Sequence, residues 1–169
     1  KTFEKDAKKL GYEKVSQAKL SVAKKIKEYV NSGGFLFAMC SATDTYDIAL
    51  AADGIDICHH MFDGDPIDND INKKLDFSKT FAFKNFELVQ NPNKYEFSSI
   101  DATQSRRVKA NVDFFTLFEF SAKWDPVPTM LCQNHTQIIK GFMGQTTSFR
   151  KKYLKSDVVV MGETKSANE

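Results

Sequence analysis

The stretch GGFLFAMCSATDTYDIALAADG, Gly33 to Gly54, sets a glycine pair, a short apolar burst, a cysteine and a helix-like run in direct succession. Ahead of it, Ala18, Val22, Ile26 and Val30 recur at helical spacing with lysines between them. That pattern predicts an amphipathic helix from Val15, with Ser16 available to cap its start and Asn31-Ser32-Gly33-Gly34 to close it. Phe35-Leu36-Phe37-Ala38-Met39 is apolar at every position, as a strand covered on both faces should be. Ser41, Thr43 and Asp44 can each cap a helix, and Ile48, Ala49, Ala51 and Ala52 continue one before Gly54. Helix, tight turn, buried strand and helix together predict an α/β fold.

The remainder is less regular. Residues 56–79 are acidic, with Asp63, Asp65, Asp68 and Asp70 around Pro66, and read as a long loop, which is uncommon unless it has a task. Aromatic and β-branched content makes Phe81–Val89, Phe114–Phe120, Met130–Cys132 and Val158–Met161 strand candidates. Pro92 and Trp124-Asp125-Pro126-Val127-Pro128 give the middle third an antiparallel or edge character. With 169 residues, 41% of them hydrophobic, the chain can fill one core but not two, so residues 1–169 are expected to form one α/β domain. Lys1-Thr2-Phe3 at the start and the stop just after a strand-like run read as the bounds of an interior piece of a longer protein.

Charge excludes some partners. Lys and Arg number 24 against 22 Asp and Glu, for a net charge of +2, so no strong field gathers nucleic acid, and the short basic runs Arg106-Arg107 and Arg150-Lys151-Lys152 read as solvated surface. No apolar segment approaches the roughly 20 residues that span a bilayer, so no membrane insertion is expected. Three widely spaced cysteines, Cys40, Cys58 and Cys132, do not make a disulfide framework and leave at least one thiol free.

Cys40 carries the candidate chemistry. A residue on a sharp strand-to-helix turn projects at the carboxyl end of a sheet, where open α/β folds bind ligands. The following helix aims its free N–H groups and positive end at the sulfur, which suits a nucleophile and an oxyanion. Ser41, Thr43, Asp44 and Trp124 are the candidate substrate-binding residues around it, the Ser41 N–H serving as an oxyanion donor and Trp124 as a stacking or capping ring. A working cysteine also needs a base. The histidines are His59, His60 and His135; none stands at a spacing that defines a dyad, and His135, just after a strand candidate, is the candidate within this chain. Cys58 with His60 and Cys132 with His135 lack zinc-finger spacing, and Asp63 to Asp70 lacks both the order and the closing glutamate of a calcium loop. No metal or cofactor is therefore expected.

The run from Gly33 through Cys40-Ser41-Ala42-Thr43-Asp44-Thr45 resembles the glycine-rich strand and S-A-T-D-T turn of the trehalose-utilisation (ThuA-like) family, within the class I glutamine amidotransferase-like superfamily. Over nearly the whole chain, FAMCSATD, ICHHMFDGD, KLDFSKTFAFKNFELV, FSAKWDPVPTMLCQNHTQIIKGFMGQTTSF and VVVMGE resemble a bacterial family often labelled asparagine synthetase B. The resemblance implies a flavodoxin-like three-layer sheet with helices on both faces, incomplete in this chain, and a site at the Cys40 corner. It also implies a histidine and an acid supplied beyond the last residue, and a periplasmic or exported home. The superfamily's elbow reads G-x-C-x-G, whereas here alanines, Ala38 and Ala42, flank the cysteine. ThuA-like proteins commonly place a histidine where Cys40 stands, and the glycine-rich S-G-G-x-D-S loop of asparagine synthetases is absent from the chain.

Two functions follow from these residues. One is a cysteine-dependent amide hydrolase or glutamine amidotransferase relative, with Cys40 attacking and His135 as base. The other is a ThuA-type module that holds a sugar or another small polar molecule at the same helix mouth without covalent chemistry. The sequence leaves open whether the chain is an enzyme, and says nothing of its oligomeric state.

Overall fold

A computed structural model describes residues 2–94, 96–101, 114–117, 138–140, 149–160 and 162–164. Five α-helices stand among them: α1 Thr2–Lys9, α2 Val15–Asn31, α3 Ala42–Ala51, α4 His60–Asp63 and α5 Ile71–Lys74. Short 3₁₀ turns follow at Phe77–Lys79 and Lys151–Tyr153. Three strands, β1 Phe114–Leu117, β2 Ile138–Lys140 and β3 Gly162–Thr164, form an antiparallel sheet in the order β2-β1-β3. Phe115 faces Ile139 on one side and Thr164 on the other.

The expected helices form where the periodicity puts them. α2 starts at Val15, with Lys14 rather than Ser16 in the capping position and Gln17 reaching back to the Glu13 and Lys14 amides at 3.2 and 3.3 Å. Its end is a Schellman turn: the Gly33 amide donates to the Val30 carbonyl at 2.9 Å and the Gly34 amide to the Tyr29 carbonyl at 3.0 Å. Gly33 sits at φ 94°, a conformation that a side chain disfavours. α3 begins directly after the cysteine corner, as the capping residues suggest.

The apolar burst between the helices differs from expectation. Phe35–Met39 is not part of a strand, and Phe35 and Met39 are 62% and 65% exposed. An apolar run becomes a buried strand only when neighbouring strands and covering helices meet it, and no described segment does so. Val158–Val160 is likewise irregular, with the strand starting two residues past it at Gly162. Within 81–89 only isolated bridges form, Phe83 with Leu154 and Leu88 with Ser98. The acidic segment carries α4 and α5 instead of running as a bare loop. Met130–Cys132 lies outside the described residues.

The core lies where α3 meets α5 and the 83–100 segment. Ile48, Ala51, Ile71, Phe83, Phe86, Leu88 and Ile100 are its buried members. Edge-on aromatic pairs lock it: Phe77 with Phe86 at 5.0 Å between ring centres, and Phe83 with Phe149 at 5.4 Å. One carboxylate ties α3 to this core. The 3%-exposed Asp47 accepts from the Phe81 and Ala82 amides at 2.7 Å each and from the Phe83 amide at 2.9 Å. Among the described residues no helix is long and apolar enough to cross a membrane.

Candidate functional site

The corner at Cys40 is built by the start of α3. Cys40 itself lies in the left-handed region at φ 56°, and its thiol-bearing residue is exposed. A non-glycine residue there is strained by contact of its Cβ with the backbone, and such strain persists only where the surroundings impose it. The imposition is visible in the turn. The Ala42 amide donates to the Met39 carbonyl at 3.1 Å and the Thr43 amide to the Cys40 carbonyl at 3.2 Å. The Thr43 hydroxyl donates to that same Cys40 carbonyl at 2.6 Å. Two of the first amides of the helix are thus engaged within the turn. Ser41 occupies the N-cap position with helical dihedrals and makes no side-chain cap, while its carbonyl accepts from the Thr45 amide and hydroxyl.

The expected ligand-facing residues divide. Ser41 and Thr43 stand at the corner, half-exposed. Asp44 turns inward and is fully buried, and neither carboxylate oxygen finds a hydrogen-bond partner of normal geometry. Burial pushes its carboxyl up to about 6, with the nearby Asp101 carboxylate adding to the rise, while the Asp44 and Thr45 amides and the Ser98 hydroxyl offset part of it. His135 and Trp124 lie outside the described residues.

The other two histidines sit elsewhere. His59 caps α4, its Nδ1 accepting from the Met61 amide at 3.3 Å, and its ring lies 4.2 Å from that of His60. Beside them Cys58 is half-buried; burial first, then the Asp63 carboxylate, pushes its thiol up to about 12. The two described thiols are therefore unlike, one exposed on a strained corner and one held protonated in a wall.

Asp56, Asp63 and Asp65 gather with their oxygens within 4.8 Å of one another. The Lys14 ammonium already stands among them, 3.0 Å from Asp56 and 2.6 Å from Asp65, and these contacts raise its own affinity for the proton. The cluster thus carries a cation of the protein's own and joins the head of α2 to the 55–68 segment. Sequence spacing gave no hint of it, because Lys14 and Asp56 are distant along the chain.

A cavity of about 370 Å³ opens between α2, α3 and the 88–97 segment. Its walls include Leu20, Ile48, Cys58, Ile71 and Leu88, and it does not include Cys40, Ser41 or Thr43. Comparison with protein-family models, with curated proteins and with solved structures gave no match.

Proposed function

We propose that the chain is an amidotransferase-like α/β domain whose Cys40 acts as the nucleophile on an amide or related carbonyl of a small polar molecule. The observation that carries this reading is the φ of 56° at an exposed cysteine placed immediately before α3. A nucleophile elbow has such a sharp turn and a helix end that offers N–H donors to the developing oxyanion, and normally a strand before them, which Phe35–Met39 does not form. In the step, the Cys40 sulfur bonds to the carbonyl carbon, the C–N bond breaks, and the leaving amine takes the proton that a base removed from the thiol. Water then cleaves the thioester and restores the thiol. The Ser41 N–H is the oxyanion donor within this chain, Thr43 braces the turn through the Cys40 carbonyl, and His135 is the proposed base. Trp124 is the proposed ring against the ligand. Asp44 is sealed beneath the corner.

The test is site-mapped alkylation of the full chain. A glutamine-analogue chloroketone at neutral pH should modify Cys40 within minutes and leave Cys58 untouched, since a thiol pushed up to about 12 is almost wholly protonated there. Selective labelling that a small amide competes away supports the nucleophile. Slow labelling no faster than that of free cysteine, together with unchanged binding of an amide or sugar by Cys40→Ser, would replace it with the non-covalent ThuA-type module.

A further inference from the structure

The cavity beside α3 has a chemistry unlike that of the Cys40 corner. α3 turns Thr45, Ile48, Ala49 and Ala52 toward it, and α2 contributes Ser16, Lys19 and Leu20, so each helix lines it with one face at i, i+3, i+4 spacing. Ala49 of α3 and Ala52 at its C-cap present only short side chains to this space. Its floor is the core itself, since Ile48, Ile71 and Leu88 are buried members of the main cluster. An open cleft of about 370 Å³ with mainly apolar walls lies in the size range of small-molecule sites.

Charged groups on the lining are few: Lys19 and Lys94 stand with the single acid Glu96, and Ser16, Thr45, Gln90 and Asn91 add uncharged polar groups. Neither Lys19 nor Lys94 is held in an ion pair among the described residues, whereas Lys14, Lys24, Lys25, Lys73 and Lys79 are; the Lys19 ammonium lies over the Phe3 ring, 5.0 Å from its centre. Exposed Phe62 and Phe97 supply aromatic surface on the same lining. An apolar body with a negative end matches this arrangement; a cation would meet two ammonium groups, and a sugar would set hydroxyls against the mainly apolar walls.

We propose that this cavity binds a small amphiphile with an apolar body and an anionic end, such as a medium-chain carboxylate. The proposal does not depend on the nucleophile reading, because no residue of the Cys40 turn lines the cavity. Decanoate, decanol and decyltrimethylammonium, each below its micelle concentration, would be titrated by calorimetry into the full chain. Decanoate should bind saturably at one site per chain, decanol more weakly, and the cation not at all. Ala49→Phe should weaken decanoate at least about tenfold while leaving the circular dichroism intact, and Lys19→Gln should weaken decanoate but not decanol. Should Ala49→Phe fail to fold, methyl resonances decide: decanoate must shift Ile67, Ile71 and Leu88 and leave Ile26, on α2 but off the lining, in place. Absence of saturable decanoate binding, equal binding of the cation, undiminished binding by a folded Ala49→Phe chain, or methyl shifts that miss the lining would each overturn the proposal.

Discussion

At the scale of single residues, two side chains near the head of α3 sit at a cost. Cys40 holds φ 56°, which a residue without a Cβ would adopt freely. Cys40→Gly should therefore raise stability by about 1 kcal/mol in a urea titration while abolishing electrophile labelling, whereas Cys40→Ala should abolish labelling with no such gain. A variant Gly chain no more stable than the Ala chain would mean that the corner is unstrained. Asp44 carries a different cost. Its folded carboxyl lies at about 6, above the ordinary range near 4, so ionisation is harder in the folded chain. The sign follows from linkage: below about pH 4 the group is neutral in both states and costs nothing, and stability falls as pH rises from about 4 to 6. Asp44→Asn should therefore gain about 2 kcal/mol at pH 7 and nothing at pH 3.5. Denaturant midpoints of both chains across that pH range check it; a gain independent of pH would assign the effect to something other than ionisation. The corner was legible in the sequence because glycine pair, apolar run, cysteine and capping residues are contiguous. The inward turn of Asp44 was not, because it depends on Ser98 and Asp101, more than fifty residues away along the chain.

At the scale of elements, the helices were readable and the strands were not. α2 and α3 each bury a face that recurs every three or four residues, so a local pattern suffices. The stop of α2 is just as local. A Cβ added at Gly33 would meet nothing within 4 Å, so the cost of Gly33→Ala is conformational alone, about 1 kcal/mol. Thermal unfolding of that variant should show the loss with no change in the folded spectrum, and an unchanged midpoint would mean that the turn relaxes to φ below zero. A strand has no such autonomy. Phe35–Met39 and Val158–Val160 have the composition of covered strands, yet composition supplies neither hydrogen-bonding neighbours nor the layers above and below. β1 was found at Phe114 because aromatic and β-branched residues coincide there with pairing partners at 138–140 and 162–164. The cavity escaped the sequence for a related reason, being assembled from four separate segments.

At the scale of the whole molecule, Asp47 does what no local pattern reveals. Its two oxygens collect three consecutive amides from Phe81 to Phe83, and those residues are themselves tied to the 153–155 segment. The Lys84 amide donates to the Tyr153 carbonyl at 2.7 Å and the Lys155 amide to the Ala82 carbonyl at 2.8 Å. α3, the Phe83 core segment and the 150s are thus joined through one buried acceptor, whose loss leaves three donors without it at once, the Phe83 amide buried and the other two partly so. A buried donor left unsatisfied costs about 1–3 kcal/mol, and a charged acceptor makes the bonds that are lost stronger than average. Asp47→Ala should accordingly destabilise by at least about 3 kcal/mol, and Asp47→Asn by less, because its one carbonyl oxygen can still accept while its NH₂ opposes the remaining amides. Hydrogen exchange distinguishes a joint from a local brace. If Asp47 joins the segments, protection in Asp47→Asn must fall together at the Phe83 amide, in α3 and at the Lys155 amide; a loss confined to Phe81–Phe83 would reduce Asp47 to a clamp on a single turn.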